Sequence, residues 1–100
     1  MNTFDEVFKI VSKIPQGRVT TYGEIAKKLG IRNPRVVGYA LHANKNYMEV
    51  PCHRVVNVKG EPAPGFAFGG PNVQKKLLEA EGVKFYDNKV MLEDFFFSIK

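Results

Sequence analysis

A chain of 100 residues allows one domain, residues 1–100, and its 44% hydrophobic and 25% charged residues are typical of an ordinary globular protein. No apolar stretch approaches the roughly 20 residues of a membrane span, and no basic region leads an apolar one at the N-terminus. Neither a membrane partner nor a signal peptide is therefore expected, and the cytoplasm is the predicted location. The single cysteine excludes an internal disulfide, and His42 and His53 are too few for a metal site by themselves.

The net charge of +5 lies in one short segment. Residues 1–26 and residues 46–100 each contain as many acids as bases, whereas residues 27–45 contain no acid. The basic side chains of that segment are Lys27, Lys28, Arg32, Arg35 and Lys45. A run of one sign in one element indicates an anionic partner, and nucleic acid is the first candidate.

The first helix is predicted from a capping box. Thr3 is the expected N-cap, with Glu6 reaching back from three residues later, and apolar residues follow at helical spacing. The helix should end before Pro15, since the residue before a proline is driven out of the helical region. Residues 15–17 then form a turn, and residues 19–20 a short extended piece.

A helix-turn-helix is predicted next. Thr21 and Glu24 form a second capping box, and the helix that follows ends at Gly30, which favours a left-handed cap. Asn33 is the expected cap of a third helix with Pro34 at its first position. The basic segment covers the turn and this third helix, and the second helix of such a motif is the one that enters a DNA groove.

The second half of the chain predicts less regular structure. A proline- and glycine-rich loop covers residues 60–71, a fourth helix runs from about residue 72 to 80 and is closed by Gly82, and a small hairpin turns at residues 87–88. The apolar run at residues 95–97 must pack on the core. The predicted fold class is mainly α with minor β: a winged-helix-like helix-turn-helix DNA-binding domain with short β segments.

Cys52 is the one candidate nucleophile. A lone cysteine is more often a small buried hydrophobe, but His53 is adjacent and Arg54 follows. A thiol needs a base or a positive field to ionise at neutral pH, and a histidine that a third group orients supplies the base. Adjacent side chains of an extended strand point in opposite directions, so adjacency alone does not establish a pair.

Several blocks of the chain match one known family. They are Ile14-Pro15-Gln16-Gly17, Thr21-Tyr22-Gly23-Glu24-Ile25-Ala26, Arg35-Val36-Val37-Gly38, Asn44, Val50-Pro51-Cys52-His53-Arg54-Val55-Val56, Gly69-Gly70 and Leu77-Leu78-Glu79-Ala80-Glu81-Gly82. With these blocks, residues 4–82 resemble the C-terminal, DNA-binding and active-site domain of the O6-alkylguanine-DNA alkyltransferases.

The resemblance implies a stoichiometric repair reaction. Cys52 would accept the alkyl group from O6 of a damaged guanine, and Glu81, His53 and a water would form a relay that takes the thiol proton. Asn44 would hold the turn between the recognition helix and the active-site strand. No cofactor is implied, because the alkyl group comes from the DNA. Without the resemblance, Glu81 could be only an acid near a helix C-terminus, and Asn44 only a helix cap.

The resemblance also implies how DNA is held. The partner would be double-stranded DNA containing O6-alkylguanine, bound by a monomer through the minor groove, with the damaged base flipped out. Tyr22 would contact the flipped nucleotide, Arg35 would fill the gap in the stack, and the carbonyls of Cys52 and Val55 would bind the guanine edge. The predicted substrate- and DNA-binding positions are Tyr22, Arg35, Val55, Thr21, Gly38, Phe68 and Arg54. His42 is expected to be a surface residue near phosphate, without a catalytic role.

Three departures from the family pattern keep a second function open. The chain starts directly at the alkyltransferase domain, Ala67-Phe68 replaces the tyrosine-serine pair before the two glycines, and Asn44 is followed by Lys45 rather than proline. The alternative is an alkyltransferase-like sensor that binds the lesion without repairing it and recruits nucleotide excision repair proteins, although such proteins usually carry tryptophan where Cys52 stands. A plain helix-turn-helix transcription factor would leave the Pro-Cys-His-Arg motif unexplained.

Overall fold

Residues 2–99, the part of the chain that this computed structural model describes, contain five α-helices and four short strands. In chain order they are α1 (Thr3–Val11), β1 (Thr20–Thr21), α2 (Tyr22–Leu29), α3 (Arg35–His42), β2 (Val55–Val56), α4 (Pro71–Ala80), β3 (Phe85–Tyr86), β4 (Lys89–Val90) and α5 (Leu92–Phe95). A short 3₁₀ helix, Cys52–Arg54, leads into β2. The predicted fold class, mainly helical with short strands, is confirmed.

The helix-turn-helix forms where the sequence predicts it. The Thr21 hydroxyl accepts a hydrogen bond from the Glu24 N–H at 3.2 Å, and Gly30 ends α2 with φ +71°, the left-handed conformation that glycine adopts without a steric penalty. α3 packs against both α1 and α2, and its inner face consists of Val37, Ala40 and Leu41, all buried. This three-helix core leaves the opposite face of α3 exposed.

Two predicted helix starts need correction. Asn2, not Thr3, caps α1: its side-chain oxygen accepts from the Asp5 N–H at 2.8 Å, as expected of a residue that caps at least as well as threonine. α3 begins one residue later than predicted, at Arg35, with Pro34 as the cap residue. The Asn33 side chain nevertheless accepts from the Arg35 N–H at 3.0 Å, so its capping contact is present.

The segment around Cys52 differs from the predicted active-site strand. Residues 52–54 form a 3₁₀ helix in which the Arg54 N–H donates to the Pro51 carbonyl at 2.9 Å, and extended structure begins only at Val55. Because successive residues of a 3₁₀ helix do not alternate between two faces, Cys52 and His53 are both buried. The argument that adjacent side chains would diverge therefore does not apply here.

Parallel pairing of two short strands fixes this 3₁₀ helix to the helix-turn-helix. Thr20 pairs with Val55 and Thr21 with Val56, so the strand that enters α2 lies beside the strand that leaves the Cys52 segment. A second apolar cluster surrounds Leu78 of α4 and includes Val19 and Val56, which lie beside and within this sheet. The hairpin β3–β4 belongs to that cluster and turns at Asp87 and Asn88, both with positive φ, as predicted.

The C-terminal apolar run packs as expected, although it also stays partly exposed. Val19 forms a parallel bridge with Phe96, and the Phe97 N–H donates to the Val19 carbonyl at 2.7 Å. Phe95 packs on the second cluster and Phe97 on the main core. The short helix α5 just before this run was not predicted.

A fully buried glutamine joins α4 to the Cys52 segment. The Gln74 side chain donates to the carbonyls of His53 at 3.0 Å and Val55 at 2.8 Å, and it accepts from the Ala63 N–H at 2.7 Å. Buried polar groups of this kind are costly unless all of them are paired. Gln74 therefore holds the backbone of the 3₁₀ helix and the following loop in one arrangement.

Removing this side chain tests its contribution to stability. We expect Gln74→Ala to lower the free energy of unfolding by about 3 kcal/mol, because three buried backbone groups lose a partner. Urea unfolding measures the change, with Gln16→Ala, at an exposed turn position, as the matched control. Equal effects of the two substitutions would contradict the prediction.

Candidate active site

The Glu81 carboxylate is the centre of the buried polar cluster. It accepts two hydrogen bonds from the Arg54 guanidinium, at 2.9 and 2.8 Å, and one from Nε2 of His53 at 2.7 Å. The Gly17 N–H adds a fourth donor at 3.3 Å. The helix dipole disfavours a negative charge at the C-terminal end of α4, where Glu81 lies. The four hydrogen-bond donors offset this unfavourable interaction.

These contacts keep Glu81 ionised. Burial by itself raises the pKa of the Glu81 carboxyl, but the hydrogen bonds from Arg54, His53 and Gly17, together with the charge that His53 carries at acidic pH, outweigh burial and lower the pKa to about 2. A bidentate guanidinium contributes geometry as well as charge, since it fixes the plane of the carboxylate. Glu81 is therefore an acceptor at neutral pH, and the nitrogen that faces it must carry hydrogen.

His53 is oriented by this acceptor. Burial, with the charge of Arg54 as a further cause, lowers the pKa of His53 more than the hydrogen bond and charge of Glu81 raise it, which favours the neutral ring at neutral pH. Because Nε2 faces Glu81, Nε2 holds the hydrogen and Nδ1 keeps its lone pair. Nδ1 is buried and has no hydrogen-bond partner within residues 2–99. The Tyr47 ring packs edge-on against the imidazole, with centroids 5.9 Å apart, and restricts its rotation.

The Cys52 thiol is buried beside Asn44. The Asn44 amide donates to Sγ at 3.3 Å and to the Val50 carbonyl at 2.8 Å, and its oxygen accepts from the Asn46 N–H at 3.2 Å. Burial raises the pKa of Cys52, although the hydrogen bond from Asn44 opposes that change. The thiol is thus protonated in the free protein, and a base has to remove the proton before sulfur can act as a nucleophile.

The space in front of Cys52 is small and opens into a larger groove. A pocket of about 30 Å³ is lined by Tyr22, Gly38, Leu41, His42, Cys52, Gly65, Phe66 and Ala67. This volume holds about two water molecules. Next to it, a mainly apolar groove of about 730 Å³ runs along the exposed face of α3 and shares Tyr22, Gly38, His42 and Gly65 with the pocket.

Several residues predicted to contact substrate or DNA lie at this pocket and groove. Tyr22 lines both, and burial, with Cys52 as a second cause, raises the pKa of its phenol to about 12, so the phenol remains protonated. Gly38 lines both as well. Arg35 is exposed at the start of α3, on the wall of the groove.

Other predicted contact residues face the interior. Thr21 is buried as the cap of α2, and Phe68 packs against Tyr47 at 5.1 Å between ring centroids rather than lining the pocket. The Val55 carbonyl accepts from Gln74, and the Arg54 guanidinium bonds to Glu81 and to the Ile14 carbonyl at 2.8 Å. A contact of any of these residues with DNA stays a prediction.

Sequence reasoning missed the residues that support the site from a distance. The Ile14 carbonyl and the Gly17 N–H come from the turn after α1, and Gly17 has φ +83°, a conformation that L side chains rarely adopt. The proline-x-glycine pattern predicted this turn but not its contacts. His42 lines the pocket, and its Nδ1 lies 3.2 Å from the Gly65 carbonyl, a contact that no local pattern indicates.

The described residues contain neither a metal centre nor a membrane span. Within residues 2–99, no three histidine, cysteine, aspartate or glutamate side chains come together as metal ligands. In the same part of the chain, no helix combines the length and the apolar character needed to cross a membrane.

Fold and site define a helix-turn-helix domain with a buried cysteine–histidine–glutamate cluster behind its recognition helix. A family model for the DNA-binding domain of 6-O-methylguanine DNA methyltransferase matches residues 2–83, and the chain belongs to this family. A methylated-DNA–protein-cysteine methyltransferase of Saccharolobus islandicus is 47% identical over 78 residues, which are 78% of this chain and 49% of the relative. The chain thus spans about half the length of such relatives.

The chain is also similar to alkyltransferase-like proteins. Alkyltransferase-like protein 1 of Schizosaccharomyces pombe is 38% identical over 88 residues, covering 87% of this chain and 82% of the relative. The crystal structure of S. pombe Atl1 in complex with damaged DNA containing O6-carboxymethylguanine superposes with a TM-score of 0.84 at 34% identity, over 97% of this chain and 98% of that one. The family therefore includes relatives of both kinds.

The Glu81 contacts predict a pH-dependent contribution to stability. We expect Glu81→Gln to lower the free energy of unfolding by about 2 kcal/mol at neutral pH, because a neutral amide replaces the charged acceptor of Arg54. The folded-state pKa of about 2 lies below the ordinary 4.5, so this stabilisation is complete above about pH 4.5 and disappears as the pH falls towards 2.

Denaturant unfolding of wild type and variant between pH 2 and 7 measures this difference. Glu79→Gln, at an exposed position of the same helix, is the control and should change stability by less than about 0.5 kcal/mol at any pH. A Glu81→Gln effect that is the same at both ends of the range would contradict the prediction.

Proposed function

We propose that the protein repairs DNA by transferring an alkyl group from O6 of a damaged guanine to Cys52, once per molecule. One observation carries this proposal: the Cys52 thiol borders a small pocket beside α3 and accepts a hydrogen bond from Asn44, while the next residue, His53, is held by Glu81 through Nε2 and keeps a buried Nδ1 that has no partner among residues 2–99. This is the arrangement of an activated nucleophile, in which a base is oriented by a third group. A buried structural cysteine needs no such base.

The chemical step transfers one proton and one alkyl carbon. Nδ1 of His53 takes the thiol proton through a bridging water, and the Cys52 sulfur attacks the alkyl carbon. The bond between that carbon and O6 breaks, its electron pair returns to the guanine ring, and N1 of the base gains a proton that balances the one taken from the thiol, so that His53 returns to its neutral form. The products are an unmodified guanine and a thioether, which has no leaving group that the protein could displace. Asn44 donates to sulfur and stabilises its developing negative charge.

Reaching Cys52 requires the damaged nucleotide to leave the duplex. A stacked guanine does not offer its O6-alkyl carbon in line to a thiolate, so the base must be flipped. Because the pocket of about 30 Å³ does not hold a guanine, we infer that the segment around residues 65–67 moves outward when the base enters. Tyr22 then borders the flipped nucleotide, and Arg35 fills the gap in the stack.

DNA approaches along the groove beside α3. The exposed basic residues of α2, α3 and the turn between them attract the phosphates, and the recognition helix enters the minor groove, which suits a protein that does not select one sequence. Action as a monomer in the cytoplasm, with residues 1–100 as one domain, belongs to the same proposal.

A damage sensor is the second candidate. The structural likeness to S. pombe Atl1, with a TM-score of 0.84, favours it, as does Ala67-Phe68 in place of the family's tyrosine-serine pair. A sensor would bind and flip the lesion without transfer and recruit nucleotide excision repair proteins. The retained Cys52 and its contacts with Asn44 favour the repair reaction instead.

The two candidates differ in the mass of the protein after reaction. Incubation with duplex DNA containing O6-methylguanine should add the mass of one methylene group to the peptide that contains Cys52, in an amount that never exceeds one per protein. Cys52→Ser, which retains a hydroxyl for Asn44, should bind the same DNA without any gain. Tight lesion binding by the wild type with no added mass would reject transfer and support the sensor.

Arg35 and Lys28 allow a matched comparison, because each substitution by alanine removes one positive charge. Arg35→Ala should weaken binding to lesion DNA about tenfold, since the side chain that replaces the flipped base is lost. Lys28→Ala should weaken binding to damaged and undamaged DNA alike and reduce the salt slope by about 1. Equal losses with equal changes in slope would make Arg35 an ordinary phosphate contact.

A further inference from the structure

Tyr39 is an exposed aromatic residue on the recognition helix. Its side chain is 62% exposed, whereas Val37, two residues before it, and Ala40, directly after it, are fully buried in the core. None of the roles described above uses this residue. A single exposed tyrosine is common on protein surfaces, so its surroundings decide whether it has a role.

Those surroundings form one side of the apolar groove. Arg35, Tyr39 and His42 occupy positions i, i+4 and i+7 of α3, which lie on one helix face, and all three line the groove. The opposite wall contains Val58, 81% exposed, and Pro64. Exposed apolar side chains thus stand on both walls of a groove that opens towards Cys52.

The charge of the helix pair indicates what this groove binds. Residues 27–45 carry five basic side chains and no acid, and one of the five, Arg35, lines the groove, so an anionic ligand fits this face although the groove itself is mainly apolar. Duplex DNA meets both requirements, since its phosphates are anionic and its minor-groove floor accepts apolar side chains that wedge between base steps. The charge therefore favours DNA over an apolar peptide as the occupant.

We propose that Tyr39 is a second DNA-contacting residue, which packs its ring in the minor groove against the base pairs next to the flipped lesion. Where α3 lies along the minor groove, residues i and i+4 are about 6 Å apart along its axis, which is less than two base-pair steps of 3.4 Å, so Tyr39 reaches the base pairs that adjoin the gap. Tyr39 thus supports the base stack beside the gap that Arg35 fills, and this contact lowers the free-energy cost of flipping the damaged base. This inference rests on the proposed minor-groove binding and base flipping.

Binding to matched duplexes with and without O6-methylguanine tests the proposal, in a Cys52→Ser background that removes the nucleophile. Tyr39→Ala should weaken lesion binding about tenfold, as truncation of a side chain that stacks on a base does, with no change in salt slope because no phosphate contact is lost. Tyr39→Phe keeps the ring and should bind within about twofold of the parent. Tyr86→Ala, at a 78% exposed position of the hairpin, should have no effect.

The fluorescence of a 2-aminopurine base placed next to the lesion reports directly whether the bases beside the gap remain stacked. Its fluorescence change on binding should be reduced by Tyr39→Ala and retained by Tyr39→Phe. If the parent protein shows no preference for the lesion duplex, the proposed function itself fails. Two results would reject only the role of Tyr39. In the first, the parent and Tyr39→Ala prefer the lesion duplex over the undamaged duplex equally strongly. In the second, Tyr39→Ala weakens binding to both duplexes equally and lowers the salt slope.

Discussion

The ionised carboxylate of Glu81 is the constraint on which the site depends. It joins three separate parts of the chain: the turn that contains Gly17, the 3₁₀ helix through His53 and Arg54, and the C-terminal end of α4. Without it, a guanidinium and an imidazole would face each other in a largely buried position with no acceptor between them. Removing one partner of such a cluster costs more than the cluster contributes, because the other charge is left unpaired.

The Glu81 carboxylate and the burial of the site together set the protonation states of His53 and Cys52. Glu81 fixes the hydrogen of His53 on Nε2, which leaves Nδ1 as the basic nitrogen of a neutral ring. Burial keeps the Cys52 thiol protonated and Asn44 holds its sulfur, so nucleophile and base are both uncharged in the free protein. The proposed single transfer would benefit from such a resting state, because a permanently exposed thiolate would be consumed by other electrophiles.

The features that the sequence predicted are local ones, and the features that it did not predict are contacts between residues far apart in the chain. The caps at Thr21 and Gly30 and the turn at Asp87 follow from residue type and near neighbours, and all three form as predicted. The contacts of Arg54 with Glu81 and of Gln74 with the carbonyl of Val55 join residues 27 and 19 positions apart, and no local pattern encodes them. The family motifs pointed to residues that the structure brings together, Asn44 with Cys52 and His53 with Glu81, but not to which residues face the interior.

The protonation state of His53 tests the account most directly. Nitrogen NMR of the imidazole at neutral pH distinguishes the two neutral tautomers from the imidazolium, through the shifts of Nδ1 and Nε2. We expect the neutral form with hydrogen on Nε2, and we expect Glu81→Gln to disturb that preference. An imidazolium, or a ring with its hydrogen on Nδ1, would contradict the account, since neither leaves Nδ1 free to accept the thiol proton.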